Sequence, residues 1–214
     1  MSYIKKLFNF KLRKNNDFIE IGGGYGDLSN ILIKSGFNLV LFIEPDISKF
    51  HIAKSRLKNM NCLNLDINKI NFEKINSSSP MVTVIMQDVI EHISEKSQKK
   101  FFFELQKKYH TINFLGRTPN LKSPFGLRNS FGDNTHIYRF TDKSLYDFLK
   151  NMGFKNIIIK NESYKITGII SLLRYPFYFL SILIFSLMSL FVFGCWEGFL
   201  TPNIVFQSKK LSKK

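Results

Sequence analysis

The chain reads Asp17-Phe18-Ile19-Glu20-Ile21-Gly22-Gly23-Gly24-Tyr25-Gly26, and an apparently helical segment, Asp27–Lys34, follows at once. The β-branched run before the glycines predicts a buried strand. In an α/β sheet, the order strand, glycine turn and helix builds a nucleotide pocket at the carboxyl end of the strand. Glycine suits this turn because the backbone must bend sharply and because a ligand approaches closely where no Cβ intervenes. The stretch therefore predicts the first strand and the cofactor edge of an α/β domain.

The spacing of the residues within the turn narrows the class of ligand that the turn can bind. Glu20 precedes Gly22, Gly24 and Gly26 in an acid-x-G-x-G-x-G pattern, which differs from the G-x-G-x-x-G of dinucleotide sites. A carboxylate here would repel a pyrophosphate but can accept hydrogen bonds from a cationic ligand without phosphate. The pattern resembles motif I of the class I S-adenosylmethionine (SAM)-dependent methyltransferases. An ordinary glycine turn in another α/β domain is the alternative.

Acidic residues also follow the next two predicted strands. Glu44 closes the strand Asn38–Ile43, about twenty residues past the turn, where an acid can accept both ribose hydroxyls of a nucleoside. Its alternative role is a charge at the start of the following helix. Asp66, beside Ile67, ends a predicted third strand that begins at Cys62. The resemblance implies that this acid binds the adenine amino group.

The remaining segments alternate between strand and helix patterns. Further strands are predicted at Met81–Met86, Thr111–Leu115, Gly153–Ile159 and Ile204–Ser208, with helices at 46–60, 95–109 and 141–152. This alternation predicts an α/β, doubly wound, Rossmann-like sheet. The resemblance implies seven strands with the last one antiparallel, and an apolar helical insertion then lies between strands 6 and 7. The predicted organisation is a lead-in at 1–16, a methyltransferase domain at 17–165 and 201–214, and an insertion at 166–200.

Candidate catalytic residues follow the fourth strand and recur in a long loop. The strand is followed by Gln87-Asp88-Val89-Ile90-Glu91-His92, and the loop Arg117–Phe140 contains His136. Gln87 is predicted to face the cofactor. Together with the Thr-Pro-Asn and Gly-Asp-x-Thr-His runs, these residues resemble the methyltransferase subfamily of bacterial surface-polysaccharide clusters and ubiquinone-type O-methyltransferases. The resemblance implies a fold and SAM as cofactor, and only weakly a substrate.

Methyl transfer to a hydroxyl requires positioning and removal of a proton. His92, His136 or Asp88 are the candidate catalytic residues, since an imidazole titrates near neutrality. A sharper hypothesis groups Asp88, Glu91, His92 and His136 around Mg²⁺, Mn²⁺ or Zn²⁺, as in some related 2′-O-methyltransferases of small RNAs. The alternative is that Glu91 and His92 only cap the next helix. Arg117, Lys122 and Arg128 suit an anionic substrate or are solvated loop charges.

Composition and charge indicate the kind of partner and the cellular compartment. The 214 residues carry a formal net charge of +15, which suits nucleic acid or an anionic membrane. The basic residues cluster at the termini around an apolar insert, which favours the membrane over a nucleic-acid groove. The two cysteines lie far apart and without ligating neighbours, which favours a reduced, cytosolic context. Residues 1–16 predict a basic amphipathic segment that either lies on a membrane or covers the cofactor.

The apolar segment 166–200 is long enough to cross a membrane. Residues 175–196 contain no charged side chain, and a helix of that length spans about 33 Å. If Ile204–Ser208 pairs beside the sixth strand, however, both ends of the insertion must lie on the same side of the membrane. Basic residues flank it on both sides, which agrees with two cytoplasmic ends. We expect a shallow helical hairpin or an interfacial helix. A spanning helix and a dimer interface are the alternatives.

These observations predict a SAM-dependent methyltransferase that is peripheral or monotopic on the cytoplasmic face of the cell membrane. Its predicted acceptor is a sugar of a lipid-linked glycan or a similar amphiphile, modified at a hydroxyl oxygen. O-methylation of a quinone precursor or another small phenol is one alternative. A non-catalytic membrane scaffold that retains the methyltransferase fold is the other.

Overall fold

The computed structural model describes residues 16–211 except 71, 73, 74, 76 and 78. Seven strands form one sheet in the order β3-β2-β1-β4-β5-β7-β6. The first five strands are mutually parallel, and β7 is antiparallel to both β5 and β6. The strands are β1 (Asp17–Ile21), β2 (Asn38–Ile43), β3 (Cys62–Leu63), β4 (Met81–Gln87), β5 (Thr111–Pro119), β6 (Lys155–Asn161) and β7 (Asn203–Leu211).

Helices cover both faces of the sheet. They are α1 (Asp27–Lys34), α2 (Ile47–Leu57), α3 (Glu95–Lys108), α4 (Leu127–Phe131), α5 (Asp142–Asn151) and α6 (Ile169–Phe193), with 3₁₀ turns at Ile67–Lys69 and Ile90–His92. On one face, α1 and α2 pack through Leu28, Leu32, Ala53 and Leu57. On the other, α3 and α5 pack through Phe101, Phe102, Leu105, Leu145 and Leu149. The doubly wound fold predicted from the alternation is confirmed.

Several predicted bounds change. The third strand is only two residues long, so Asp66 lies beyond it and starts a 3₁₀ turn. Strand β5 runs on to Pro119, and the short helix α4 forms within the predicted loop. Strand β7 extends from Asn203 to Leu211 because it pairs along its length with β5. The lead-in predicted at 1–16 lies outside the described residues except for Asn16.

Helix α6 connects β6 to β7, where the apolar insertion was predicted. It is one continuous helix of 25 residues with Pro176 inside it, so the expected hairpin is wrong. Proline lacks only one amide donor, and α6 continues through it. Within the described residues, α6 is the one helix long and apolar enough to span a membrane by length and composition, and almost none of it is buried.

Candidate functional site

Sheet topology decides where a ligand can bind. The strand order reverses between β1 and β4, since β2 and β3 lie to one side of β1 and β5 lies to the other side of β4. Ligands of open α/β sheets bind in the crevice at such a switch point, outside the carboxyl ends of the strands. The glycine turn follows β1 at this edge, and Asp88 to His92 follow β4 there.

The glycine turn adopts a conformation that glycine favours. Gly22, Gly24 and Gly26 have φ values of 63°, 56° and 75°. A Cβ on Gly22 would collide with the Val89 side chain, whereas no atom of the described residues lies within 4 Å of a Cβ placed on Gly24. The turn is therefore open at Gly24, where a ligand can approach the backbone.

Glu44 holds this turn from the end of β2. Its Oε2 accepts a hydrogen bond from the Gly24 amide at 2.7 Å, and its Oε1 accepts one from the Asp46 amide at 2.9 Å. The side chain is buried, yet each carboxylate oxygen retains a second lone pair for a ligand. Asp46, not Glu44, caps α2, through the amides of Ser48 and Lys49. The geometry thus fits the predicted ribose-binding role.

Glu20 lies beneath the turn. The amide of Ser29 donates to its Oε2 at 3.1 Å, and the hydroxyl of Ser29 donates to the same oxygen. Burial raises the pKa of Glu20 to about 7, although the bonds from Ser29 oppose the shift. The structure therefore shows Glu20 tying the turn to α1. Its contact with a cofactor stays a prediction.

The other predicted cofactor residues differ in exposure. Asp66 is exposed, and its Oδ1 accepts hydrogen bonds from the Asn68 amide and side chain. Ile67 is buried in the core and leaves little side-chain surface for a ligand. The Gln87 Nε2 at the end of β4 is buried and has no hydrogen-bond partner among the described residues. An unpaired buried donor is costly, so Gln87 fits a residue that waits for a ligand acceptor.

Glu91, His92 and His136 form a cluster at the same edge. One potential ligand atom from each lies within 4.8 Å of the others. The two imidazole centroids are 4.5 Å apart, and the Nε2 of His136 is 4.0 Å from the Oε1 of Glu91. The Glu91 main-chain oxygen accepts bonds from the amides of Ile137 and Tyr138, at 2.9 and 3.0 Å. These bonds dock the loop on the 3₁₀ turn and bring His136 beside Glu91.

Hydrogen bonds fix how both imidazoles present themselves. The Nδ1 of His136 lies 2.9 Å from the Ser130 carbonyl, which can only accept, so Nδ1 carries the proton. The Nδ1 of His92 lies 2.9 Å from the Thr135 hydroxyl, whose own proton goes to Asp133 at 2.6 Å. His92 therefore also donates from Nδ1. In both rings the Nε2 lone pair is left for a ligand, as second-shell partners arrange it in metal sites.

Glu91 completes the donor set. Its carboxylate is 1% exposed, and neither oxygen has a hydrogen-bond partner among the described residues. Burial raises the pKa of Glu91 to about 8, and burial together with the nearby His136 lowers the pKa of His92. A divalent cation would supply the positive charge that is needed to stabilise this buried carboxylate in its ionised form. Two imidazoles and one carboxylate are a donor set that first-row divalent metals accept.

Asp88 is not part of this cluster. Arg117 binds both oxygens of its carboxylate, with Nε 3.0 Å from Oδ1 and with Nη2 on Oδ2. The Nη1 of Arg117 also donates to Glu162, at 3.0 Å. These partners raise the pKa of Arg117 although its burial acts to lower it, and Arg117 lowers the pKa of Glu162 against the effect of burial. Asp88 therefore lies outside the group of three residues whose potential ligand atoms are close together, and the metal site itself stays a prediction. Asp88 is a paired carboxylate rather than a free base.

The basic loop residues are also engaged. Lys122 contacts Glu197 at 2.5 Å and Asp142 at 3.4 Å. Arg117 and Lys122 therefore join the loop to its neighbours, although Lys122 remains exposed, and their role toward an anionic substrate stays a prediction. Arg128 is exposed on α4.

Known proteins resemble this chain in structure rather than in sequence. A scan of protein-family models and a search of curated proteins by sequence find no match. A SAM-dependent methyltransferase from Archaeoglobus fulgidus superimposes with a TM-score of 0.63 at 16% identity, covering 98% of this chain and 90% of that one. The chain has the class I SAM-dependent methyltransferase fold.

Two further structures share this fold. The methyltransferase domain of bacterial CtHen1 gives a TM-score of 0.53 at 18% identity, covering 90% of this chain and 89% of that one. Phosphoethanolamine N-methyltransferase 2 from Haemonchus contortus, in complex with SAM, gives 0.58 at 14% identity, covering 100% and 52%. The fold implied by the glycine motif is thereby confirmed, whereas the narrower likeness to polysaccharide and ubiquinone enzymes stays a hypothesis.

The predictions from sequence did not include the residues that orient the cluster. Ser130 and Thr135 hold the two imidazoles, and Asp133 fixes the Thr135 hydroxyl. The Asp133-Asn134-Thr135 run gives a signal for a side-chain turn, because Asp commonly bonds the backbone two residues on. No comparable pattern marks the Ser130 carbonyl, since any residue offers one.

Proposed function

We propose that this protein is a SAM-dependent O-methyltransferase. The observation that carries the proposal is the placement of the glycine turn with Glu44 and of the cluster Glu91–His92–His136 on one edge of a methyltransferase sheet. One side binds the methyl donor, and the other handles an acceptor hydroxyl. When bound, SAM supplies an electrophilic methyl group on a sulfonium.

The donor side binds through residues already oriented. Glu44 accepts the ribose hydroxyls with its remaining lone pairs, the open backbone at Gly24 admits the amino-acid portion, and Gln87 donates from its unpaired Nε2. Binding is expected to be specific for a nucleoside without phosphate, because Glu20 and Glu44 make the turn unfavourable for a pyrophosphate.

The acceptor side holds a divalent cation. Glu91 and the Nε2 atoms of His92 and His136 are its proposed ligands, with Ser130 and Thr135 as the groups that orient them. When bound, the cation supplies a Lewis acid that lowers the pKa of an acceptor hydroxyl. The residues themselves position the hydroxyl oxygen and exclude water from the buried carboxylate.

The proposed acceptor is a sugar hydroxyl of a lipid-linked glycan or a similar amphiphile, at the cytoplasmic membrane face. Support for this acceptor comes from this chain alone. The names of two structural neighbours refer to small RNA and to phosphoethanolamine, and the name of a third gives no substrate. Helix α6 joins β6 to β7 at the edge of the sheet that also carries the cluster, which supports an acceptor with an apolar part. A quinone precursor with an isoprenoid tail also has such a part.

Isothermal titration with SAM and with S-adenosylhomocysteine tests the donor side. We expect micromolar binding of both, on the order of 8 kcal/mol. Absence of binding to the purified, folded protein contradicts the proposal and favours a non-catalytic scaffold. Transfer of labelled methyl groups to membrane lipids, a quinone precursor and short RNA then identifies the acceptor class.

Titration of Mn²⁺ by electron paramagnetic resonance tests the metal without relying on activity. We expect stoichiometric binding to the parent protein and at least a tenfold loss in Glu91→Gln and His136→Ala, since each removes a ligand. His51→Ala is the matched control, because His51 is an exposed histidine on α2. Equal binding by all four proteins would refute this metal site.

A further inference from the structure

Helix α6 contacts the domain near its N-terminal end. The Tyr164 hydroxyl donates to the Ser171 carbonyl at 3.0 Å, and the rings of Tyr164 and Tyr178 are 4.7 Å apart. The two residues of α6 in these contacts, Ser171 and Tyr178, are seven positions apart, which is about two helical turns. The same side of the helix therefore faces the domain over this stretch.

The contact continues further along the helix. The rings of Phe185 and Phe125 are 5.4 Å apart, and the Ser186 hydroxyl donates to the Glu197 carbonyl at 2.7 Å. From Ser171 to Ser186 the helix rises about 22 Å at 1.5 Å per residue. Helix α6 is thus held by the segments directly before and after it and by Phe125, while almost none of it is buried.

Apolar side chains are exposed around most of α6, and the side opposite Tyr178 and Phe185 carries a continuous stripe of them. Its members are spaced three or four residues apart, which places them on one face. They are between 48% and 85% exposed and comprise Leu173, Phe177, Leu180, Ile184, Met188 and Phe191. We call these six residues the α6 stripe. Contiguous apolar surface of this kind marks an interaction site.

Helix α4 also exposes apolar side chains. Leu127 and Phe131 are exposed on α4, and Phe125 just before it contacts α6. The Arg139 guanidinium lies 4.6 Å from the Phe131 ring. Exposed apolar side chains therefore lie on α4 as well as on α6, and Phe125 joins the two elements through its contact with Phe185.

The charges beside this surface are basic. Helix α6 contains no acidic residue, and its one charged residue, Arg174, is exposed. Arg128 is exposed on α4, and the nearby Glu197 is paired with Lys122. Lys209 and Lys210, by contrast, pair with the start of β5, about 20 Å along β7 from the α6 edge. Lys209 and Lys210 therefore lie away from this surface, whereas Lys213 and Lys214 lie outside the described residues.

We propose that the α6 stripe, with Leu127 and Phe131, docks in one leaflet of an anionic membrane, with α6 parallel to the bilayer plane. Exposed apolar side chains enter the interfacial region, and Arg128 and Arg174 meet lipid phosphates. A second copy of the chain fits less well. A two-fold interface through this surface would cover Arg128 and Arg174 of both copies and would offer them no acid from α6 to pair with.

This arrangement directs the catalytic edge toward the lipid surface. Glu91 follows β4 and α6 joins β6 to β7 at the same edge, so docking brings the cluster near an acceptor that cannot leave the bilayer. The docking itself does not rest on the proposed chemistry. Titration with SAM in the absence of vesicles measures the proposed function separately.

Vesicle flotation tests the surface. We expect the full chain to float with vesicles containing phosphatidylglycerol and about tenfold less with pure phosphatidylcholine. Phe177→Asp/Leu180→Asp should reduce flotation by at least about tenfold, because each charge must enter an apolar interface. Phe103→Asp is the matched control, since Phe103 is 60% exposed on α3 and away from α6. Equal flotation of both variants, or a dimer in solution that the double variant dissociates, overturns the proposal.

Trp196 tests the orientation, because it is the chain's single tryptophan and lies just beyond α6. For protein bound from outside, we expect external iodide to quench its fluorescence and iodide entrapped in the vesicles to have no effect. Quenching only from inside indicates that α6 crosses the bilayer and overturns the proposal. Protection from both sides also overturns it, because Trp196 would then lie within the hydrocarbon.

Discussion

Glu44 links the donor site to the local fold. Its two carboxylate oxygens each accept one backbone amide, from Gly24 and Asp46, and so fix the glycine turn against the start of α2. The same oxygens are the proposed acceptors of the ribose hydroxyls. We predict that Glu44→Ala lowers SAM affinity about 10- to 100-fold in calorimetry, the equivalent of one charged hydrogen bond or more.

Asp46→Ala provides the control for this variant. Asp46 caps α2 through two amides, so its loss should cost about 1 kcal/mol of unfolding free energy and leave SAM affinity unchanged. Unchanged affinity in Glu44→Ala as well would place the nucleoside elsewhere.

Glu20 gives the fold a pH dependence of its own. Burial raises its pKa from 4.5 to about 7 in the folded protein. Between these values the folded state keeps a proton that the unfolded state loses, so this residue makes stability fall as pH rises from 4.5 to 7. We predict a fall of about 3 kcal/mol from this residue, absent in Glu20→Gln. Urea unfolding of both proteins at pH 5 and 8 measures the difference, and parallel profiles contradict the assignment.

Four elements are joined by Arg117 at the carboxyl edge. From β5 it pairs with Asp88 after β4 and with Glu162 after β6, and Glu162 also accepts a bond from Asn203 of β7 at 2.7 Å. We predict that Arg117→Met destabilises the protein by about 2 kcal/mol, a value reduced for the partial exposure of Asp88.

A second substitution tests whether unpaired charge is the cause. Arg117→Met/Glu162→Gln removes one of the two stranded carboxylates, so it should recover part of the lost stability. Urea midpoints of the single and double variants measure this recovery. An additive loss instead indicates that Arg117 contributes through packing alone.

At the scale of the whole molecule, helix α6 connects two strands of the sheet without being part of it. Strand β7 pairs with both β5 and β6, so the sheet does not need α6 to be complete. We predict that replacing Ile169–Phe193 by a flexible linker of about 15 residues preserves SAM binding and abolishes flotation with anionic vesicles. Calorimetry and flotation on the same preparation measure both. Loss of SAM binding in a folded variant would mean that α6 also shapes the donor site.

Local pattern was sufficient for the elements of the sheet. The helix Asp27–Lys34 and the strand Asn38–Ile43 have the predicted bounds, because glycines and acids at their ends stop them locally. The tail strand was also predicted beside the sixth, but that position came from the resemblance, which implies a last, antiparallel strand there, rather than from local pattern. The third strand was overestimated because its apolar run is short and ends in a polar turn.

Contacts distant in sequence decided the site. Asp88 and Glu91 look equivalent as acids after β4, yet Arg117, on the neighbouring strand, binds Asp88, and the Glu91 carboxylate has no hydrogen-bond partner in the described part of the chain. His136 joins Glu91 only because the loop docks on the 3₁₀ turn by main-chain bonds. Such bonds can form with any side chain, so the sequence carries no signal for them.

The amino-acid sequence by itself determined the sheet, the glycine turn and the position of the apolar insertion, because periodicity and glycine act over a few neighbouring residues. Only the tertiary structure decided that the cluster has three members and that the insertion is one continuous helix. Both depend on which side chains meet across strands and loops, and pairing at a distance is set by packing rather than by local pattern.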